Sequence, residues 1–341
     1  MKLVSATRFR EIKSVSSASV KIHASQFPAS VRSGLLQSLR TRAVNHKFHY
    51  DSIKQTQKWL ALHQIYSPSR HDADLAAIYD QSFRAAAEMI SNSQVHLIGL
   101  GCGGGQKDTR LLKELRAAGK ELFYTPCDVS SAMVLVARAA ALAVVPDENC
   151  SPLVCDLAAA NDLAEELARL SPAGASRLIS FFGMIPNFEP SAILPRLAEL
   201  IRPGDTLLFS ANLAPGSDYQ RGVEKILPQY DNPQTRDWLM TFLLDLGVER
   251  TDGELRFSIE NDESGLGLKR VVARFYFNRP REIRIESDAF SFSAGDSIRL
   301  FFSYRYTPAL VEARLREQGL RVRERWIAGS EEEGVFLVAR A

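Results

Sequence analysis

The alternation of short apolar segments with helical segments between residues 94 and 214 constrains the fold more than any other feature of this chain. The predicted strands are Val95–Leu100, Leu122–Cys127, Pro152–Cys155, Arg177–Phe182 and Thr206–Ala211. The predicted helices are Asp72–Ser91, Asp108–Ala118, Ser131–Val144, Ala158–Arg169 and Ser191–Ile201. Apolar strands that alternate with helices form parallel sheets covered on both faces. The pattern therefore predicts a doubly wound α/β domain.

The pattern changes after Pro215, where a long helical segment precedes strands with a period of two. The predicted elements of this block are a helix at Tyr219–Leu246 and strands at Leu255–Ile259, Lys269–Phe277, Glu282–Ser287 and Ser297–Tyr306. A helix at Pro308–Gln318 and strand material ending at Gly334–Ala339 follow, and we expect them to complete the first sheet. We therefore predict a discontinuous α/β domain, 72–214 and 307–341, with an α+β lid and substrate subdomain formed by 1–71 and 215–306.

The first predicted strand runs into a glycine-rich loop, Gly99-Leu100-Gly101-Cys102-Gly103-Gly104-Gly105, and then into a helix. Glycine lets backbone approach a ligand closely, and a helix N-terminus presents amides to an anion. Asp128 and Asp156 end the next two strands, at the carboxyl edge where open α/β sheets bind ligands. Each feature alone fits a turn or a helix cap, but their succession favours an adenosine-containing cofactor. S-adenosylmethionine (SAM) is favoured over NAD because the loop is not a clean GxGxxG and no nicotinamide-domain duplication follows.

The composition limits the classes of protein to which this chain can belong. The chain of 341 residues is 45% hydrophobic and 24% charged with a net charge of +2, as in a globular protein. No apolar stretch reaches the ~20 residues of a membrane helix. The four cysteines form no CxxC pair, so we expect the protein to lie in a reducing cytoplasm.

Residues 1–50 carry nine Lys or Arg against one acid, but without interleaved aromatics. A solvated leader is preferred over a transit segment or a nucleic-acid arm. No metal, nucleic-acid or membrane partner is predicted, and the oligomeric state stays open.

Several short segments match one family's motifs in order. They are Phe48-His49-Tyr50-Asp51, Tyr66-Ser67-Pro68-Ser69-Arg70, Gly101 to Lys107 with Thr109-Arg110-Leu111-Leu112, Pro126-Cys127-Asp128-Val129-Ser130, Gly183-Met184-Ile185-Pro186-Asn187-Phe188 and Gln229-Tyr230-Asp231-Asn232. By these motifs, roughly residues 45 to 341 resemble the SAM-dependent histidine N-methyltransferases of the ergothioneine pathway. The resemblance implies a class I SAM-methyltransferase fold, which is a Rossmann-like doubly wound sheet, with a lid.

The resemblance also implies roles for individual residues. The cofactor-binding set would be Tyr50, Gly101, Gly103, Lys107, Asp128 and Asp156. Tyr66, Asn187 and Tyr230 would hold the ammonium and carboxylate of an amino acid, a task that an amide and two phenols perform without removing charge. Lys107 is equally well explained as a solvated lysine, and each tyrosine as a half-buried packing residue.

The chain departs from the family where the substrate imidazole is recognised. The family uses a Glu-x-Ser pair on a late strand, and the matching positions here are Phe301 and Ser303, which share one face of the strand. A buried imidazole left without its partner costs about 1 to 3 kcal/mol. Histidine is therefore disfavoured as the substrate.

Two reactions remain after this departure. In the preferred one, an aromatic wall that includes Phe301 holds the sulfonium, and the α-amine of SAM attacks its own γ-carbon to give azetidine-2-carboxylate and methylthioadenosine, as in azetidine-2-carboxylate synthases. In the other, an aromatic or other amino acid is methylated on its α-amine. A SAM-binding regulator is a third hypothesis. Tyr66, Tyr230 or water would serve as the base, whereas Phe302, Tyr304 and Tyr306 are expected only to pack.

Overall fold

The computed structural model describes residues 17–66, 72–262 and 265–341. Its strands are β1 (Lys21–Ile22), β2 (Gln94–Leu100), β3 (Glu121–Asp128), β4 (Leu153–Val154), β5 (Ser176–Phe181), β6 (Thr206–Asn212), β7 (Gly253–Asn261), β8 (Lys269–Phe277), β9 (Arg281–Ile285), β10 (Asp288–Phe292), β11 (Ser297–Arg305), β12 (Leu320–Ile327) and β13 (Glu333–Arg340). Its α-helices are α1 (Pro28–Arg40), α2 (Ile53–Tyr66), α3 (Ala73–Met89), α4 (Gln106–Ala117), α5 (Ser131–Ala141), α6 (Leu163–Leu170), α7 (Pro190–Leu200), α8 (Tyr219–Tyr230), α9 (Pro233–Asp245) and α10 (Pro308–Glu317).

The larger sheet has eight strands in the order β1-β4-β3-β2-β5-β6-β13-β12. The first six are parallel, while β13 pairs antiparallel with β6 and β12 antiparallel with β13. The sheet is therefore mixed rather than wholly parallel, and the last strand completes it as predicted. Parallel neighbours need a crossover connection of about a dozen residues or more. Only residues 328–332 join β12 to β13, so these strands form an antiparallel hairpin.

Alternate residues of the central strands face two separate cores. Leu97 packs with helices α3 and α4 on one side, and Ile98 packs with α6, α7 and α10 on the other. Leu208 and Leu207 divide in the same way on β6. Since successive side chains of a strand point to opposite faces, these uninterrupted apolar strands require helices on both sides. The predicted doubly wound α/β architecture is confirmed.

A second region contains the smaller sheet, β11-β8-β7, and the hairpin β9-β10. The N-terminal elements pack on it, because Arg32 of α1 binds Asp288 of β10 at 2.9 Å. The backbone amide of Val44 also donates to the carbonyl of Arg299 in β11 at 2.8 Å. These contacts join the two segments of the chain that were predicted to form the lid subdomain. The boundaries of that subdomain stay a prediction.

Two predicted helices differ from the structure. The helix expected over Tyr219–Leu246 is two helices, because Pro233 lacks an amide and Asn232 caps α9 by accepting from the amide of Thr235 at 2.9 Å. The helix expected from Ala158 begins only at Leu163, after a turn. Strand β10 was not predicted. Among the described helices, none has the length and apolar character needed to cross a membrane.

Candidate functional site

A cavity of about 340 Å³ lies at the carboxyl edge of the larger sheet. Residues after or near the ends of five neighbouring strands line it, and so does the start of β13. This lining set includes Gly101, Gly103, Lys107, Asp128, Asp156, Phe182, Asn187, Asn212 and Glu333. The N-terminal segment covers the same cavity with His46, Lys47, Tyr50, Trp59 and His63. The volume is at the lower end of the ~300–1,000 Å³ of ligand pockets.

The glycine loop has a backbone conformation that would be strained at any residue with a β-carbon. Gly101 and Gly103 have φ angles of 65° and 51°, in the left-handed region. A β-carbon on Gly101 would lie 2.4 Å from Sδ of Met184, and one on Gly103 would lie 3.1 Å from the Trp59 ring. The loop therefore lines the cavity with bare backbone and forms a cradle that a side chain at Gly101 or Gly103 would fill.

Asp128, at the end of β3, is held by the loop itself. Its carboxylate accepts the amides of Gly103 and Ser130, both at 3.0 Å. Burial raises the pKa of Asp128 to about 6, against the opposing effect of the two amides. The carboxylate is thus oriented by the backbone and keeps lone pairs that can accept the hydroxyls of a ribose.

Asp156 follows β4 and forms a buried ion pair with Lys47 of the covering N-terminal segment. The distance from Nζ to Oδ2 is 3.0 Å, and the two side chains are only 6% and 8% exposed. Lys47 was not predicted as a site residue. The feature that could have indicated a role for Lys47 is its position beside Phe48-His49-Tyr50-Asp51. A single lysine in a basic segment, however, does not reveal a buried partner 109 residues away.

At the other end of the cavity, Lys107, Tyr79 and Glu333 form a cluster that we call the Lys107 cluster. Nζ of Lys107 donates to the Tyr79 hydroxyl at 2.5 Å and lies 3.3 Å from Oε1 of Glu333. The Tyr79 hydroxyl donates to the same carboxylate. Burial, and then the charge of Glu333, raise the pKa of Tyr79 well above its usual value, so the phenol stays protonated. Sequence reasoning missed Glu333, since nothing distinguishes it from its neighbours Glu331 and Glu332.

The residues predicted to bind an amino acid divide into two groups. Asn187 lines the cavity and donates to the carbonyl of Phe302 at 2.7 Å. Tyr230, Phe301 and Ser303 are not among the described residues that line it. The Tyr230 hydroxyl bonds to that of Ser303 at 2.8 Å. Tyr66 ends α2, but its side chain lies outside the described residues.

Phe301 lies in an aromatic cluster behind the cavity wall. Its ring centre is 6.0 Å from that of Tyr230 and 5.9 Å from that of Trp238. Trp238 in turn lies 5.5 Å from Tyr50, which lines the cavity. Phe301 therefore supports the wall through Trp238 and contributes no described surface to the cavity itself.

His46, one of two described histidines that line the cavity, is a weak base. Burial lowers the pKa of His46 to about 4, so its ring is neutral at neutral pH. The ring packs edge-on against Phe188 at 4.4 Å between centres. Among the described residues, no group of His, Cys, Asp or Glu is arranged to hold a metal ion.

The glycine cradle, the acid at the end of β3 and the cavity along the carboxyl edge define an α/β enzyme that binds an adenosine cofactor. The model of the histidine-specific, SAM-dependent methyltransferases matches residues 27–340. The chain therefore belongs to this family, is a SAM-dependent enzyme and has the class I methyltransferase fold. A histidine N-alpha-methyltransferase of Mycolicibacterium smegmatis is 25% identical over 325 residues, which cover 91% of this chain and 94% of the relative.

Solved methyltransferases are also similar to this chain. Magnesium protoporphyrin IX methyltransferase from Synechocystis PCC 6803, with bound S-adenosylhomocysteine, has a TM-score of 0.44 and 12% identity, and the match covers 86% of this chain and 97% of that one. A SAM-dependent methyltransferase from Clostridium acetobutylicum has a TM-score of 0.41 and 13% identity, covering 83% and 99%.

We expect Gly101→Ala to destabilise the protein by about 1–2 kcal/mol, the cost of a left-handed backbone at a residue with a β-carbon. The clash with Met184 should also displace the cradle and weaken the binding of S-adenosylhomocysteine. Gly104→Ala is the matched control, because the three atoms nearest to its β-carbon would all belong to the flexible Gln106 side chain. Urea denaturation and calorimetric titration measure the two effects. Equal behaviour of both variants would contradict this account of the loop.

Acid should weaken cofactor binding through Asp128. Its pKa of about 6 means that the empty site is mostly protonated at pH 5, whereas binding to ribose hydroxyls needs the carboxylate. The affinity for S-adenosylhomocysteine should therefore fall about tenfold from pH 7 to pH 5. Because the pKa is raised from 3.8, this group stabilises the empty fold fully below that value and loses the contribution as pH rises through 6. Asp128→Asn should flatten the binding profile between pH 5 and 7, and an unchanged profile would exclude Asp128.

Proposed function

We propose that this enzyme uses SAM as its only substrate and closes it to azetidine-2-carboxylate, with release of methylthioadenosine. The observation that carries the proposal is the burial of Phe301 among aromatic rings. By the family resemblance, Phe301 matches the position of the glutamate that recognises the imidazole, and it is 8% exposed between Tyr230 and Trp238. An apolar ring offers no hydrogen-bond acceptor for an imidazole.

The polar groups expected around an acceptor are also engaged with one another. Ser303 is 2% exposed and bonds to Tyr230, whose hydroxyl also accepts from Nη2 of Arg305 at 2.7 Å. A buried polar group that already has its partners gains little from a ligand and costs free energy if it must exchange them. These contacts favour a site that needs no second amino acid.

The cavity itself fits SAM. A volume of about 340 Å³ suits one ligand of that size, and the cradle and Asp128 suit its adenosine half. Aromatic rings of Tyr50, Trp59, Phe182 and Phe188 line the cavity. Such rings attract a cation through their faces, and we infer that they surround the sulfonium. Holding one compact conformer is the main task, because ring closure requires the amine to lie close to the γ-carbon.

Nα-methylation of an aromatic or other amino acid is the second candidate. It is favoured by Asn187, which lines the cavity at the position that the family resemblance assigns to an amino-acid substrate. The identity of 25% with a histidine N-alpha-methyltransferase also supports amine methylation. Both candidates use the α-amine as nucleophile, and they differ in whether that amine belongs to SAM.

Incubation of the purified protein with SAM alone, followed by mass spectrometry, distinguishes the two reactions. Cyclisation yields azetidine-2-carboxylate and methylthioadenosine in equal amounts. Since SAM also decomposes slowly to methylthioadenosine without enzyme, the azetidine product is the diagnostic one. An absence of azetidine-2-carboxylate, with S-adenosylhomocysteine formed only after amino acids are added, would overturn the cyclase and establish the methyltransferase.

A further inference from the structure

The Lys107 cluster stands at the end of the cavity opposite the Lys47–Asp156 pair. Glu333 begins β13 and is paired in antiparallel register with Asn212 at the end of β6, and both residues line the cavity. The side chains of Lys107 and Glu333 are 21% and 13% exposed, so they are neither solvated surface charges nor sealed in a core. Together they present one cation and one anion to the cavity.

A pair of this kind is complementary to a zwitterion. The amino-acid end of SAM carries one carboxylate and one ammonium, so its binding adds no net charge to the site. Nζ of Lys107 lies 3.3 Å from Oε1 of Glu333, so the two charges satisfy each other. An α-carboxylate on Lys107 and an α-ammonium on Glu333 replace this contact by two charge-assisted hydrogen bonds. Tyr79 holds the Glu333 carboxylate by its own hydrogen bond, which orients it during this exchange.

We propose that Glu333 binds the α-ammonium of the SAM amino-acid end and accepts its proton, while Lys107 binds the α-carboxylate. This inference rests on the proposed function. In the cyclase, Glu333 takes one of the three protons of the ammonium. The freed nitrogen lone pair forms the bond to the γ-carbon, the carbon–sulfur bond breaks, and its electron pair stays on the sulfur of methylthioadenosine. The azetidine nitrogen then carries two protons, and the third leaves from Glu333 to solvent, so that the charges balance.

Other groups near the cavity are less suited to this task. The pKa of His46, about 4, makes its imidazole a poor proton acceptor, and His46 lies beside Asp156 rather than beside Lys107. Tyr79 is protonated and already donates to Glu333. Asp108 lines the cavity, but its carboxylate accepts from Tyr124 at 2.8 Å and from Ser180 at 2.7 Å. Asp156 is paired with Lys47, and Asp128 is held by two backbone amides and assigned to the ribose. Glu333 is therefore the cavity carboxylate best placed to receive an ammonium.

The binding test compares two adenosine ligands and does not require turnover. S-adenosylhomocysteine carries the α-amine, and its desamino analogue, with a 3-carboxypropyl group on sulfur, lacks only that amine. We expect the wild-type protein to bind S-adenosylhomocysteine at least about tenfold more tightly, the size of one hydrogen bond to a charged group. Glu333→Gln should reduce this ratio to less than about threefold. The ratio should be unchanged in the control Glu332→Gln, whose carboxylate bonds to Gln229 and does not line the cavity among the described residues.

The turnover test uses the same variants with SAM alone. Glu333→Gln should form azetidine-2-carboxylate about 100-fold more slowly, as expected on removal of a general base, while Glu332→Gln keeps the wild-type rate. If the wild-type protein makes the product and Glu333→Gln matches it in rate and in ligand ratio, the role of Glu333 is refuted and the cyclase stands. If the wild-type protein makes no azetidine-2-carboxylate, the cyclase is refuted. The ligand ratio then decides whether Glu333 binds the ammonium, and a ratio unaffected by Glu333→Gln overturns that assignment too.

Discussion

Phe301→Glu should lose nearly all conversion of SAM to azetidine-2-carboxylate, by about 100-fold or more. The new carboxylate would be buried against the rings of Tyr230 and Trp238, where burying a charge without a partner is costly. Trp238 packs against Tyr50, so displacement of this wall moves a ring that lines the cavity. A displacement of about 1 Å in a site that works by positioning can cost about 100-fold in rate.

Phe301→Leu is the matched control for this experiment. Leucine keeps the site apolar at slightly lower volume, and we expect it to retain at least about a tenth of the wild-type rate. Thermal melting of both variants identifies any loss of folding. Product formation by Phe301→Glu at the wild-type rate would remove Phe301 from the mechanism, and equal losses in the two variants would show that ring shape rather than the absence of charge matters.

Lys47→Met should lower the free energy of unfolding by about 3–5 kcal/mol. Removing one member of a buried ion pair leaves the other charge desolvated and without compensation. Here the remaining group is the carboxylate of Asp156, whose side chain is 8% exposed. Because Lys47 belongs to the segment that covers the cavity, the same change should also loosen that segment. Urea denaturation of the purified protein measures the effect.

Two further variants make the Lys47 result specific. Lys54→Met removes a lysine paired with Asp245 at 2.5 Å, but those side chains are 54% and 42% exposed, so a loss of only about 0–1 kcal/mol is expected. The double variant Lys47→Met with Asp156→Asn removes both buried charges and should regain most of the lost stability. A loss in Lys47→Met no larger than that in Lys54→Met would contradict a stabilising buried pair.

The sequence predicted the central sheet well because each of its strands has a local signal. Leu97 and Ile98 are apolar neighbours, and a strand that faces two cores needs apolar residues at both positions. Elements that depend on partners elsewhere were harder to predict. Strand β10 has half-exposed residues, and it is stabilised by pairing with β9 and by the contact of Asp288 with Arg32.

The site residues also divide into those with a local sequence signal and those that depend on distant partners. The glycine loop and Asp128 were found because short runs of consecutive residues determine the turns in which they lie. Glu333 and Lys47 were missed because their roles come from partners 226 and 109 residues away. Phe301 was recognised as a departure from the family, and its role at the ligand stays a prediction. The structure adds that its ring packs against Trp238.

By itself, the sequence determined the doubly wound sheet, the glycine cradle and the acids at the carboxyl edge, since hydrophobic periodicity and turn chemistry act over a few residues. Only the tertiary structure decided which charges meet in the cavity and which predicted substrate residues are sealed among themselves. The physical reason is that burial and ion pairing depend on distances between segments far apart in the chain. Local residue patterns do not specify those distances.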